Sequence, residues 1–290
     1  SDMVFFLFSI RPPAHSPLLF LMGGPGASGP RPPEASSLFA IPSSQHSRLA
    51  WDAIYGYSLA GVFRVYGLRA GMGSDAARNG GTMSQVCGLR AVFFDFGGVL
   101  AEEGFRQALI DIASEAGRDP AEIVPTAYEM AWTTRFVVGG CDEAGFWQAF
   151  RKATGITADD GHLTEVVLSR FVPRPYMFAL ADAARGLGLK TAILSDQTEW
   201  LARLDAKHDV FSHFDQVFNS YHHGTSKREA AFFELALAAM DVTAGESLFI
   251  DDAAHNTELA ARLGFKTLLY RDRESFFAEL ADLCPPLGAL

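Results

Sequence analysis

Five short apolar runs, separated by amphipathic stretches, constrain this chain more than any other feature. "LRAVFFDF" (89–96), "KTAILSD" (190–196), "DQVFNS" (215–220), "ESLFID" (246–251) and "KTLLY" (266–270) each have the length and composition of a buried strand. Helical patterns fill the gaps: "MFALADAARGLG" (177–188), "EWLARLDAKH" (199–208), "REAAFFELALAAM" (228–240) and "NTELAARLG" (256–264). Gly188 and Gly264 stand where C-terminal helix caps belong. Strand and helix alternating at this rhythm predict an α/β fold, a Rossmann-like parallel sheet with helices on both faces. Ligands of such sheets bind outside the carboxyl ends of the strands.

The polar residues fall at those ends. Asp95 follows the first strand, Ser195 ends the second, and Asp251 and Asp252 follow the fourth. Lys227 is expected to open a helix close behind the third strand and to reach the same rim. In "FFDFGGVL" the acid is followed by Gly97 and Gly98, which let a backbone turn tightly and approach a ligand. Each residue also has a plainer reading. Asp95 can be a turn acid, Ser195 and the Asp251–Asp252 pair can cap the helices that follow, and Lys227 can be an exposed helix-start lysine.

Residues 102–172 break the alternation. "RQALIDIASEAG", "PAEIVPTAYEMAWTT", "EAGFWQAFRKATG" and "HLTEVVLSRF" are helical patterns with no strand between them. They predict a small α-helical cap inserted after the first strand, standing over the rim as a lid. The core is then 89–101 and 173–290. Phe146, Trp147 and Phe150 read as packing within the cap.

Residues 1–88 differ in composition, with proline, glycine and arginine but no lysine. They read as an extension, largely disordered, with one amphipathic helix over 51–68 and a natural start at Met83 as expectations. "GGPGASGP" lacks the Gly-Lys-Ser/Thr of a phosphate loop. The net charge of -10 speaks against a nucleic-acid partner. No apolar run approaches the roughly 18 residues that span a membrane. Cys87, Cys141 and Cys284 form no evident disulfide framework, so a reducing, cytoplasmic setting is expected. The adjacent His222 and His223 project in different directions and read as a surface loop rather than a metal site.

Taken together, the motifs resemble those of the haloacid dehalogenase superfamily of hydrolases, in the subclass with a small helical cap after the first motif. "FFDFGGVL" is similar to its nucleophile motif, "AILSD" to its Ser/Thr motif, "SYHHGTSK" to its lysine motif and "FIDDAAHNTELAARLG" to its acidic motif, in the right order. The resemblance implies that Asp95 is a nucleophile forming an aspartyl-phosphate. It implies that Ser195 hydrogen-bonds the phosphoryl group and that Lys227 neutralises it. Gly98 and Asp196 are expected beside the bound phosphate. Asp95, the carbonyl of Gly97, Asp251 and Asp252 are expected to hold Mg2+. The chemistry agrees: phosphoryl transfer needs positioning and positive charge, and clustered carboxylates need a cation.

Two positions depart from the pattern. The superfamily's phosphatases usually carry a second acid two residues after the nucleophile, and here that position is Gly97. Glu102 or Glu103 is the expected surrogate, unless the leaving group departs unaided, as from an anomeric sugar phosphate or an acyl phosphate. Asp196 stands where many relatives have Asn, and is expected to cap the next helix. The resulting expectation is a Mg2+-dependent phosphatase of a small soluble phosphate monoester, monomeric or homodimeric. The alternatives are a carbon–halogen hydrolase, or a non-catalytic binding domain on the same fold.

Overall fold

The computed structural model describes residues 86–288. The expected helix over 51–68, the rest of the extension to residue 85 and Met83 lie outside the described residues. Five strands form one sheet: β1 (Ala91–Phe94), β2 (Lys190–Ser195), β3 (Gln216–Asn219), β4 (Ser247–Asp251) and β5 (Lys266–Leu269). Their order is β3-β2-β1-β4-β5, and every pairing is parallel. The α/β fold predicted from the alternation is the fold observed.

Register brings the site together. Phe94 lies beside Ile193 on one side and Ile250 on the other. Asp95, Ser195 and Asp251 therefore emerge at nearly the same level of the sheet. The Asp95 N–H donates to the Ile250 carbonyl at 2.9 Å, which carries the ladder one residue past β1.

The first four α-helices after β1 are α1 (Gly104–Glu115), α2 (Pro120–Thr133), α3 (Glu143–Thr154) and α4 (Asp160–Arg170). They are the helical cap. Asp119, Asp142 and Asp159 cap α2, α3 and α4 by accepting backbone N–H bonds, and Pro120 sits at the first position of α2. Phe146, Trp147 and Phe150 are fully buried, with Phe146 stacked on Phe136 at 4.9 Å, so they pack the cap.

The remaining helices are α5 (Pro175–Gly186), α6 (Trp200–His208), α7 (Ser220–His223), α8 (Ala230–Met240), α9 (Ala254–Arg262), α10 (Arg273–Leu283) and α11 (Pro285–Gly288). Alternation along β1 divides the core in two. Val92 and Phe94 pack with Met177 and Leu180 of α5 and Phe276 of α10. Ala91 and Phe93 pack with Phe232 and Phe233 of α8 and Ala260 of α9. Both faces being covered is why the strands read as continuous apolar runs. Truncating one such ring, as in Phe93→Ala, costs about 3–5 kcal/mol.

Polar and aromatic contacts tie the cap to the core. Glu143 of α3 accepts from Trp200 Nε1 at 2.6 Å and Arg203 Nη1 at 3.0 Å, both on α6. The Arg228 guanidinium lies 3.5 Å from the centre of the Trp132 ring.

One expectation is overturned. Cys87 and Cys284 form a disulfide, with Cα atoms 5.4 Å apart across 197 residues of sequence. The chain just before β1 and the end of α10 meet only once the sheet is built, so spacing alone could not reveal the pair. The cysteine argument for a reducing compartment falls with it; Cys141 is the free cysteine of the described residues. No helix among the described residues is long and apolar enough to cross a membrane.

Candidate active site

Asp95 stands at the centre of the rim and is almost wholly buried. Its Oδ1 accepts from the Ser195 hydroxyl at 2.6 Å and from the Phe96 N–H at 2.7 Å. Its Oδ2 faces Lys227 Nζ at 2.7 Å. A carboxylate offers about four lone-pair directions, so Asp95 keeps one open.

Lys227 is equally buried and bridges to Asp251 Oδ2 at 2.6 Å. It does not open a helix, as the sequence suggested. It lies in the turn between α7 and α8, where the Asp196 carboxylate accepts its backbone N–H at 2.9 Å. Asp196 therefore does not cap α6; that helix has Glu199 at its N-cap with no side-chain bond. The acid anchors the loop that delivers the lysine. The Thr198 hydroxyl takes the capping role, accepting from Trp200 N at 3.2 Å.

Asp251 is completely buried and fully engaged. Beyond Lys227, it accepts from Ala253 N at 2.8 Å and from Asn256 Nδ2 at 3.1 Å on each oxygen. Asn256 thus steadies this loop. Asp252 completes the cluster: ligand atoms of Asp95, Asp251 and Asp252 all lie within 4.8 Å of one another. Gly98 makes room for it. A Cβ at Gly98 would lie 2.0 Å from Asp252 Oδ2, and Gly98 also holds φ +81°, where a side chain is strained.

Four carboxylates, Asp95, Asp196, Asp251 and Asp252, surround one ammonium. Burial pushes Asp95 up to about 8; Lys227 opposes the rise, and Asp251 and Asp252 add to it. Burial and the neighbouring Asp251 charge raise Asp252 as well. Burial works against the Lys227 charge, but Asp251, Asp95 and Asp196 outweigh it and hold the lysine above its ordinary range. The excess of acid and the all-oxygen donor set fit a hard divalent cation such as Mg2+. Asp95 and Asp252 have directions to offer it, whereas Asp251 has its lone pairs filled and is placed to orient Lys227.

The loop after Asp95 is clamped by Arg174, which the sequence reading missed. Arg174 donates to the carbonyls of Gly98 and Val99, forms a two-pronged pair with Glu102 at 2.7 and 3.1 Å, and lies over the Tyr270 ring. Glu102 is thereby held below the usual carboxylate range by Arg174 and is not free to give a proton. Glu103 differs. It caps α1 through the Arg106 N–H, accepts from Tyr128 Oη at 3.1 Å, and is raised by burial.

Glu103 also lines a cavity of about 180 Å³ between cap and core. Asp196, Gln197 and Thr198 form its floor beside Ser195, and Phe105, Tyr128, Trp132 and Phe136 come from the cap. These residues are scattered over four segments, and only helix packing unites them. His222 and His223 lie in α7 rather than in a loop, and belong to no acid–histidine–cysteine cluster among the described residues.

The family model of haloacid dehalogenase-like hydrolases matches residues 89–264. The chain belongs to that family. Among curated proteins, acyl-CoA dehydrogenase family member 10 of Mus musculus is 27% identical over 219 residues, 67% of this chain and 19% of that protein. Bifunctional epoxide hydrolase 2 of Rattus norvegicus is 29% identical over 125 residues, 40% of this chain and 22% of that protein. This chain thus spans about a fifth of the length of either relative. A haloacid dehalogenase family enzyme from Bacteroides thetaiotaomicron, solved with magnesium and inorganic phosphate, shares the fold with a TM-score of 0.54 and 19% identity, over 64% of this chain and 98% of that one. L-2-haloacid dehalogenase from Xanthobacter autotrophicus matches with a TM-score of 0.50 and 18% identity, over 67% of this chain and 82% of that one.

Proposed function

We propose that this haloacid dehalogenase-like hydrolase is a Mg2+-dependent phosphatase of small phosphate monoesters. The observation that carries the reading is the excess of acid around Lys227, with Asp95 and Asp251 buried against it and Asp252 at their edge. A site built to attack a neutral carbon–halogen bond has no use for a cluster of acids that needs a second cation. The magnesium–phosphate complex of the Bacteroides enzyme supports the same reading by analogy of fold.

Asp95 attacks phosphorus as the Ser195 hydroxyl turns from its carboxylate to the phosphoryl group, the phosphorus–ester oxygen bond breaks, and the oxygen leaves as an oxyanion that takes its proton from solvent or from Glu103. Water then attacks the phosphorus of the aspartyl-phosphate, releasing inorganic phosphate and restoring the carboxylate. Ser195 and the Phe96 N–H fix the carboxylate before the attack, and Lys227 offsets charge on the transferring phosphoryl group. Asp251 and Asn256 hold Lys227 in place, and Asp196 holds its loop. Asp95, Asp252 and the Gly97 carbonyl would hold Mg2+, which would supply Lewis-acid stabilisation of the developing charge. Gly97 has no proton to give; Glu103 and Asp196 are the acids that line the cavity, and Asp196 is tied to the loop of Lys227.

The test is phosphate release from a panel of small esters, with Mg2+ and with EDTA, beside Asp95→Asn. Mg2+-dependent release abolished by Asp95→Asn is expected. Halide release from a 2-haloacid, with none from any ester, would favour the second reading that Gly97 permits, a dehalogenase. Silence in both assays would leave a binding domain.

A further inference from the structure

The cavity between cap and core carries information about the group attached to the phosphate. Six of its lining residues are aromatic: Phe105, Tyr128, Trp132, Phe136, Phe171 and Trp200. Its polar groups are fewer than its rings, and several are partly engaged: Glu103 and Tyr128 bond each other, Asp196 accepts the Lys227 N–H, and the Thr198 hydroxyl accepts from Trp200. A polyhydroxylated group here would set most of its hydroxyls against ring faces. A planar apolar group would gain ring contacts instead. The volume of about 180 Å³ sets the size. Apolar cavities of roughly 150 Å³ hold a benzene ring, so one six-membered ring with a small substituent fits.

The chemistry at Gly97 points the same way. A phosphatase without an acid beside its nucleophile needs a leaving group that departs as an anion. A phenolic oxygen has a pKa near about 10, by analogy with tyrosine, and does so far more readily than an alkanol. The Glu103 carboxyl at the cavity wall disfavours an anionic ring substituent.

We infer that the substrate is an aryl phosphate monoester, with a single uncharged ring seated in this cavity and its ester oxygen directed to Asp95. The inference rests on the phosphatase reading and narrows it, against the sugar and acyl phosphates that Gly97 alone would also allow.

The test compares phenyl phosphate, cyclohexyl phosphate, a hexose 1-phosphate and acetyl phosphate, in wild type and in Ala131→Leu, which fills the cavity. Phenyl phosphate should exceed hexose 1-phosphate in kcat/KM by at least about 100-fold, and cyclohexyl phosphate, of similar size with a poorer leaving group, should be slow. Ala131→Leu should lower the phenyl-to-acetyl ratio at least about tenfold. Phe105→Leu, which removes one ring and keeps an apolar side chain, serves if the first variant does not fold, and should lower the same ratio. Equal or better use of the hexose phosphate, or an unchanged ratio in both variants, overturns the inference. Phenol binding by calorimetry separates the two levels. If no ester is hydrolysed, the phosphatase reading fails. Phenol binding that Ala131→Leu removes would then still support the ring site, and no phenol binding would overturn it.

Discussion

Asp252→Asn separates what the acid cluster costs from what it is for. Ligand atoms of Asp95, Asp251 and Asp252 lie within 4.8 Å of one another. Two unit charges at that distance repel by about 3.5 kcal/mol at an effective dielectric of about 20. Asp252 keeps an exposed edge, so water screens most of this. Lys227 also attracts its carboxylate, which opposes the repulsion from Asp251. A net penalty of about 1 kcal/mol remains. Asn has the same size and keeps the fit against Gly98, so the substitution should stabilise the metal-free protein by about that much. On a domain of roughly 200 residues the melting temperature then rises by about 2–4 °C.

Mg2+ reverses the ranking. A ligand at 100 times its Kd stabilises by about 2.7 kcal/mol, or roughly 5–11 °C here. Wild type should show this shift and Asp252→Asn should show little of it, so the melting curves of the two proteins cross during a Mg2+ titration. Differential scanning calorimetry in EDTA and along that titration reads both effects. A variant less stable than wild type in EDTA would refute the repulsion argument. A variant with the full Mg2+ shift would refute the assignment of Asp252 as a ligand.

Lys227→Met leaves Asp95 and Asp251 buried without their cation and should cost about 3–5 kcal/mol by urea unfolding in EDTA, with part recovered on adding Mg2+. Burial raises Asp95 to about 8, so the folded metal-free protein keeps a proton that the unfolded chain releases; stability should fall as pH climbs from the ordinary carboxylate range to about 8, and Asp95→Asn should flatten that slope. Glu103→Gln should slow alkyl phosphate esters at least about tenfold while Glu102→Gln changes them little, and full turnover in both would end the case for Glu103 as proton donor. Cys284→Ser should lower stability by about 2–4 kcal/mol in oxidising buffer, and a reducing agent should affect wild type but not the variant.

The sheet and its rim were legible because a buried parallel strand has only one way to write itself. "AVFF" and "SLFID" are apolar on both faces, so a polar residue at their carboxyl ends is conspicuous. Register then places Asp95, Ser195 and Asp251 together without further information. What lay beyond reach depends on approach between distant segments. Asp196 looked like a cap because it precedes a helix, but its partner is a backbone N–H 31 positions later. Arg174 acquires meaning only when it meets the Gly98 carbonyl and Glu102. The cavity rings come from α1, α2, the turn at Phe136, the cap exit and the start of α6, and no period in the sequence links them.

The paired glycines show that adjacent identical residues can answer different demands. Gly98 is dictated by its surroundings: its φ is positive, and Asp252 occupies the space a Cβ would need. Gly97 is under no such compulsion. Its backbone is not in the left-handed region, and a Cβ there would meet Gln197 Nε2 at 3.3 Å and Phe171 Cε1 at 3.4 Å, close but short of a collision. The backbone would therefore admit a side chain at 97, and what opposes a larger one is the neighbouring wall of the cavity. A carboxylate there would have to displace Gln197 or press on the Phe171 ring. The absence of an acid at 97 and the aromatic wall beside it are thus one arrangement of space, and the leaving group that needs no proton is also the one that the wall fits.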